Sequence, residues 1–153
     1  MNKEEIAKFL FKGRRLTNAK AGGQVSPAIN GTEQTEYTEG DWLYRDIYFN
    51  GKNSFSGIDA VYYQGQPVWA SSYFGKFQGI TEEELDKILR QTIVDHPDTN
   101  AWQEVKRQKY NDYEYENIPG SASQSIDEVS GVERVLKDGT EVYVLRYNGG
   151  MLI

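Results

Sequence analysis

FSGIDAVYYQGQPVWASSYFGK (residues 55–76) and VSGVERVLKDGTEVYVLRYNGG (residues 129–150) align without a gap. Ser56, Gly57, Val61, Gly65, Val68, Tyr73 and Gly75 recur as Ser130, Gly131, Val135, Gly139, Val142, Tyr147 and Gly149. Residue frequencies give roughly one or two such matches by chance. A repeat on this scale says that one supersecondary unit occurs twice, so it bounds the fold before any local signal does.

The likeness continues outward. Asp41, Tyr44 and Ile47 match Asp112, Tyr115 and Ile118, at an offset three residues shorter than in the main block. A loop therefore differs in length between the copies. Further upstream, EEIAKFL (4–10) resembles EELDKIL (83–89). Asn2 and Glu5 fit a capping box before the stripe Ile6, Phe9 and Leu10, with Gly13 as the stop. Thr81 and Glu84 fit a second box before Leu85, Ile88, Leu89 and Ile93, with Ile80 stapled onto Leu85 and Pro97 as the end.

Strands follow from alternation. In the stretch 42–49, Trp42, Tyr44, Asp46 and Tyr48 share one face, and Leu43, Arg45, Ile47 and Phe49 the other. Gln64-Gly65 and Asp138-Gly139 each separate two β-rich runs, as a tight hairpin turn with positive φ requires. They predict pairing of 58–63 with 67–74, and of 132–137 with 141–148. Stretches 17–40 and 97–111 show no clear period and read as loops, with a short helical turn at Ala101-Trp102 and Val105. The expected fold class is α+β. One domain spans 1–153, made of two similar α-β-β-β halves (about 1–78 and 79–153), with a largely antiparallel sheet and helices packed on one face.

Composition narrows the chemistry. The net charge is -6 and the pI about 4.9, so the chain repels phosphate backbones and direct nucleic-acid binding is not expected. Lys12, Arg14 and Arg15 cluster, as do Lys106, Arg107 and Lys109; both groups read as solvated surface. The absence of cysteine removes disulfides, thiol nucleophiles and cysteine-based metal sites. No apolar run approaches the ~20 residues of a membrane helix. The opening MNKEEIAKFLFKGRR lacks the order of a signal peptide, so a cytoplasmic location is the expectation.

The single histidine, His96, sits at the end of the second helix, where a cation favours the helix dipole. One histidine and no cysteine make zinc improbable, and no phosphate-binding glycine pattern follows a strand. No metal, cofactor or catalytic residue is therefore assigned. Asp41, Asp46, Asp59 and Glu133 lie on or near predicted strands, and a pair of them is what a carboxylate hydrolase needs. Arg45 and Arg146 are available as their partners.

The aromatic residues are more suggestive. The chain has 11 Tyr and 3 Trp, and Trp42, Tyr44, Asp46 and Tyr48 share a face that Trp69 and Tyr73 echo on a neighbouring strand. Such a set builds an aromatic core, a pocket or an interface. Asp46 in its middle favours a polar site, because a buried carboxylate is costly in a plain core.

EGDWLYRDIYFNG (39–51), FSGIDAVYYQGQPVWASSYFG (55–75) and YNGGMLI (147–153) resemble a bacterial and archaeal family of unknown function. Its members carry Gly-Asp-Tyr-x-Tyr-x-Asp-x-Tyr, Gly-x-Pro-Val/Ile-Trp and a terminal Gly-Gly. Here those are Gly40 to Tyr48 (with Trp42 for the first Tyr), Gly65 to Trp69, and Gly149-Gly150; Gly22-Gly23 also fits. Some relatives place the domain behind a Cro/repressor-type helix-turn-helix, which this chain does not show, and that attachment implies a sensing or regulatory role. The resemblance points at Tyr44, Asp46, Tyr48, Trp69 and Tyr73.

The function expected is a non-enzymatic small-molecule-binding or regulatory module. Its site is Trp42, Tyr44, Asp46, Tyr48, Trp69 and Tyr73, with Asp46 as polar anchor. Its alternatives are a protein-interaction domain or homodimer, and a carboxylate-based hydrolase. Asn117 replaces Asp46 and Tyr143 replaces Trp69 in the second copy, so the first copy is where a site belongs.

Overall fold

Asn2 accepts a hydrogen bond from the Glu5 N–H and Glu5 accepts one from the Asn2 N–H, which starts helix α1 (Lys3–Arg14). The same reciprocal pair between Thr81 and Glu84 starts α2 (Glu82–Asp95). His96 caps α2 through its N–H to the Thr92 carbonyl. The computed structural model describes residues 2–19, 22–96, 105–121, 123 and 125–153; the expected stop at Pro97 and turn at Ala101-Trp102 lie outside these. Among the described residues no helix is long and apolar enough to cross a membrane.

Four strands follow α1: β1 (Glu33–Glu39), β2 (Trp42–Asn50), β3 (Ser54–Tyr63) and β4 (Gln66–Phe77). Four more follow α2: β5 (Lys106–Tyr110), β6 (Tyr113–Pro119), β7 (Glu128–Lys137) and β8 (Thr140–Met151). They form one antiparallel sheet in the order β1-β2-β3-β4-β8-β7-β6-β5. β4 and β8 meet at its centre, with Tyr73 directly opposite Tyr147. Both hairpins lie where the glycines place them, with φ of 49° and 77° at Gln64-Gly65 and again at Asp138-Gly139.

The expectation of three strands per half is corrected to four. The added strands are β1, EQTEYTE, and β5, KRQKY. Both are edge strands with one neighbour in the sheet. The outer side of β1 is partly covered by Gly23 and Val25, and the charged side chains of both strands suppress the apolar alternation by which strands are recognised.

One sheet face carries both helices. Ile6, Phe9 and Leu10 of α1 pack with Tyr44, Val61 and Trp69, and Leu85 and Ile88 of α2 pack with Tyr115, Val135 and Tyr143. Cross-strand pairing puts these sheet residues on the same side. Leu10 is fully buried, and its truncation to Ala costs about 2–5 kcal/mol.

Gly13 does not stop α1. The helix runs through it and continues as a π-helical turn, Arg15–Ala19. A Cβ at position 13 would lie 2.5 Å from Tyr44 Cγ. The glycine instead lets the α1 backbone rest on the Tyr44 ring, which brings Arg14 down onto the sheet.

The opposite face is open. Phe49, Ile58 and Phe74 are each about half exposed there. Glu36 pairs with Arg45 across β1 and β2 at 2.7 Å, and Arg107 with Glu116 across β5 and β6 at 3.0 Å. The two cross-strand pairs sit near opposite sheet edges with their signs reversed.

Candidate functional site

Alternation along β2, β3, β4 and β8 brings Asp46, Asp59, Ser71, Tyr73 and Tyr147 to the helix-bearing face, near the centre of the sheet. The helices do not fill this area. Arg14 and Thr17 on one side and Leu89 and Thr92 on the other bound a cavity of about 880 Å³ above it.

Asp59 is the best-satisfied carboxylate. Arg14 donates to its Oδ2 through Nε (2.9 Å) and a terminal nitrogen (2.6 Å), and Ser71 Oγ donates to its Oδ1. The Tyr44 hydroxyl stands 3.4 Å from Oδ2. The Arg14 guanidinium also lies over the Trp69 ring, 5.6 Å from its centroid. The charge of Asp59 is thus matched by a cation and its lone pairs by donors.

Asp46 lies directly opposite Asp59 on β2 and has no such cation. Tyr73 donates to its Oδ1 at 2.7 Å, and among the described residues no other side chain donates to it. Only 5% of Asp46 is exposed. Burial, and then the negative charge of Asp59, push its pKa up to about 7, against the hydrogen bond from Tyr73 and the charge of Arg14. Burial also raises Tyr73 well above the ordinary phenol range, so it remains a donor.

Tyr73 reaches Asp46 by lying across Gly57. A Cβ at position 57 would come 2.5 Å from the Tyr73 hydroxyl oxygen. Tyr147 lies across Gly131 in the same way and donates to Asn117 Oδ1 at 2.9 Å. Glu133 takes hydrogen bonds from Tyr115 (2.7 Å) and Tyr143 (2.8 Å), and burial raises its pKa. Among the described residues neither Asp46 nor Glu133 has a cationic partner.

Four of the six expected site residues, Asp46, Tyr48, Trp69 and Tyr73, line the cavity. Trp42 and Tyr44 do not. Trp42 packs in the core under α1, its ring 5.2 Å from Phe9 and 4.7 Å from Tyr63. Tyr44 is fully buried beneath Gly13, and only its hydroxyl approaches Asp59. Arg45, expected to pair with a strand carboxylate of the site, points to the other face and binds Glu36. Arg146 likewise faces away, opposite Phe74 and Val132.

The structure adds Arg14, Thr35, Glu133 and Tyr147. Tyr147 and Glu133 were visible as the aligned counterparts of Tyr73 and Asp59. Arg14 and Thr35 carried no local signal.

Asp46 and Asp59 share one cleft, as a carboxylate hydrolase would need, but Arg14 and Ser71 already occupy Asp59. Among the described residues no group of three or more His, Cys, Asp or Glu is placed to hold a metal ion. The available chemistry is therefore that of two buried carboxyls, Asp46 and Glu133, held by tyrosines beside aromatic rings.

No curated protein and no solved structure matches the chain. A family model matches residues 46–152, which hold Asp46, Tyr48, Trp69, Tyr73, Glu133 and Tyr147 but not Arg14 or Thr35. The chain belongs to that family, described as Domain of unknown function (DUF5680).

Proposed function

We propose that this domain is a non-enzymatic small-molecule-binding module with a regulatory role, and that its two halves are copies of one unit of which the first carries the site. The observation that carries the reading is the cavity itself. It is about 880 Å³, in the size range of small-molecule sites, and it stands over a buried carboxylate and the rings of Tyr48, Trp69 and Tyr73. A core closed by its helices would have left no such space. The duplication is supported by equivalent contacts: Tyr73 to Asp46 across Gly57, and Tyr147 to Asn117 across Gly131.

The test is a thermal-shift screen against a metabolite library. A ligand that binds the folded state alone raises the midpoint by mass action. Hits are expected to lose their effect on Tyr73→Ala or Tyr48→Ala. A library that leaves the midpoint unmoved, with both variants folded, overturns the reading.

A second reading rests on Phe49, Ile58 and Phe74, half exposed together on the open face of the sheet. Such a patch suits a second copy of this chain. Light scattering after size exclusion tests it: a dimer that Phe74→Glu converts to monomer supports it, and a monomer at high concentration rejects it.

A further inference from the structure

Asp46 Oδ1 is taken by Tyr73, while Oδ2 receives no side-chain hydrogen bond from the described residues. Directly opposite, across β1 and β2, is Thr35. Thr35 is 6% exposed and lines the same cavity, and its Oγ1 has no hydrogen-bond partner among the described residues. A buried hydroxyl left without a partner costs about 1–3 kcal/mol, so one that faces a cavity is a place where a ligand donor gains most. Two adjacent polar groups on one cavity wall therefore each lack a partner.

The charges around the cavity say which partner. Asp46 and Glu133 have no counter-ion among the described residues. The two arginines on the lining, Arg14 and Arg90, are engaged by Asp59 and Asp86. An anion entering here would meet uncompensated carboxylates. A neutral molecule would leave Asp46 to be buried ionised or to take up a proton. A cation meets the carboxylate and the electron-rich faces of Tyr48 and Tyr73 together.

Resting on the reading of the cavity as a small-molecule site, we infer that its ligand is a protonated amine on an aromatic or apolar body, whose ammonium donates to Asp46 Oδ2 and Thr35 Oγ1. The body lies against the rings of Tyr48 and Tyr73, and Arg14 stays with Asp59 over the buried Trp69 ring. Amine binding then favours the ionised form of Asp46, so affinity rises with pH as Asp46 loses its proton. The groups that act on that titration are Asp59 from β3, Tyr73 from β4 and Arg14 from α1, while the charge of Asp46 in turn raises Tyr44 and Tyr48 on its own strand. Glu33 from β1 accepts from Tyr48, and Arg90 from α2 is engaged by Asp86.

The experiment uses the full chain and three matched sets of aromatic fragments: primary amines, the corresponding alcohols and the corresponding carboxylates. Each is titrated at pH 5 and pH 8; the amines are arylalkylamines, which stay protonated at both, so that for them the protein alone changes charge. Amines are expected to raise the unfolding midpoint more at pH 8 than at pH 5. Asp46→Asn should weaken amine binding by roughly 30-fold or more. Thr35→Val, which keeps shape and removes the hydroxyl, should weaken it by roughly 3- to 10-fold without lowering the stability of the free protein. Alcohols or carboxylates binding as well as amines, or amine binding that survives Asp46→Asn, overturns the amine assignment and leaves the cavity a ligand site. No binding from any class overturns the ligand site as well.

Discussion

Asp46 faces Asp59 across β2 and β3, and among the described residues only Asp59 has a cation paired with it. Two neighbouring carboxylates thus differ in what they cost the fold. One is an ion pair; the other is a buried acid held by a single tyrosine.

The cost of Asp46 depends on pH, and the sign follows from the direction of its shift. Its pKa is raised from 3.8 to about 7 in the folded state. Its contribution to stability is full below pH 4 and is lost as pH rises toward 7, where the unfolded chain releases the proton and the folded one retains it. The loss is at most on the order of 4 kcal/mol. Asp46→Asn removes the titration and keeps an acceptor for Tyr73. Urea unfolding should find the variant more stable than the parent at pH 8 and nearly equal to it at pH 4. A variant less stable at pH 8 would contradict the raised pKa.

Arg14→Met leaves Asp59 buried without its counter-charge. The expected loss is about 2–3 kcal/mol at pH 7, toward the low side for a broken buried pair because the Arg14 side chain is 29% exposed. Arg14→Met with Asp59→Asn should recover much of it. Chemical denaturation of the two single variants and the double one gives the coupling. Additive effects would mean that the pair carries no coupling.

Gly57→Ala places a methyl group against the Tyr73 hydroxyl, and Gly131→Ala does the same under Tyr147. Each should cost about 1–3 kcal/mol through overpacking. Only the first displaces the donor of Asp46, so Gly57→Ala should weaken amine binding more than Gly131→Ala does. Calorimetry on both variants separates the structural part of the effect, which they share, from the functional part, which they do not.

Reversing a cross-strand pair on the open face is the mildest change. Glu36→Arg puts like charges opposite each other on β1 and β2 and should cost about 0.5–1 kcal/mol. Adding Arg45→Glu should restore most of that, because Arg107 and Glu116 hold the inverted arrangement on β5 and β6. Thermal midpoints of the single and double variants decide it.

The helices and inner strands were legible because their signals are local. Both capping boxes, both glycine hairpins and the face shared by Asp46 and Tyr48 follow from spacing alone. β1 and β5 were missed because an edge strand buries little and carries charge where an inner strand alternates. Trp42 was misplaced for another reason. Alternation assigns a face but not a position along the strand, and four residues of β-strand separate Trp42 from Asp46 by about 13 Å. That carries Trp42 out of the cavity and under α1. Arg14 was read as solvated surface, because its contact with Asp59 depends on how closely α1 approaches Tyr44. Thr35 stands out only once its lack of a partner is known.

The family match starts at Asp46, midway along β2, yet Arg14 and Thr35 lie before it. A chain cut back to the matched region would lose α1, β1 and the start of β2. Asp59 would face solvent without its arginine, Trp69 would lose the helix above it, and the sheet would gain a raw apolar edge. The stretch that identifies the family by sequence is therefore smaller than the stretch that builds the cavity wall.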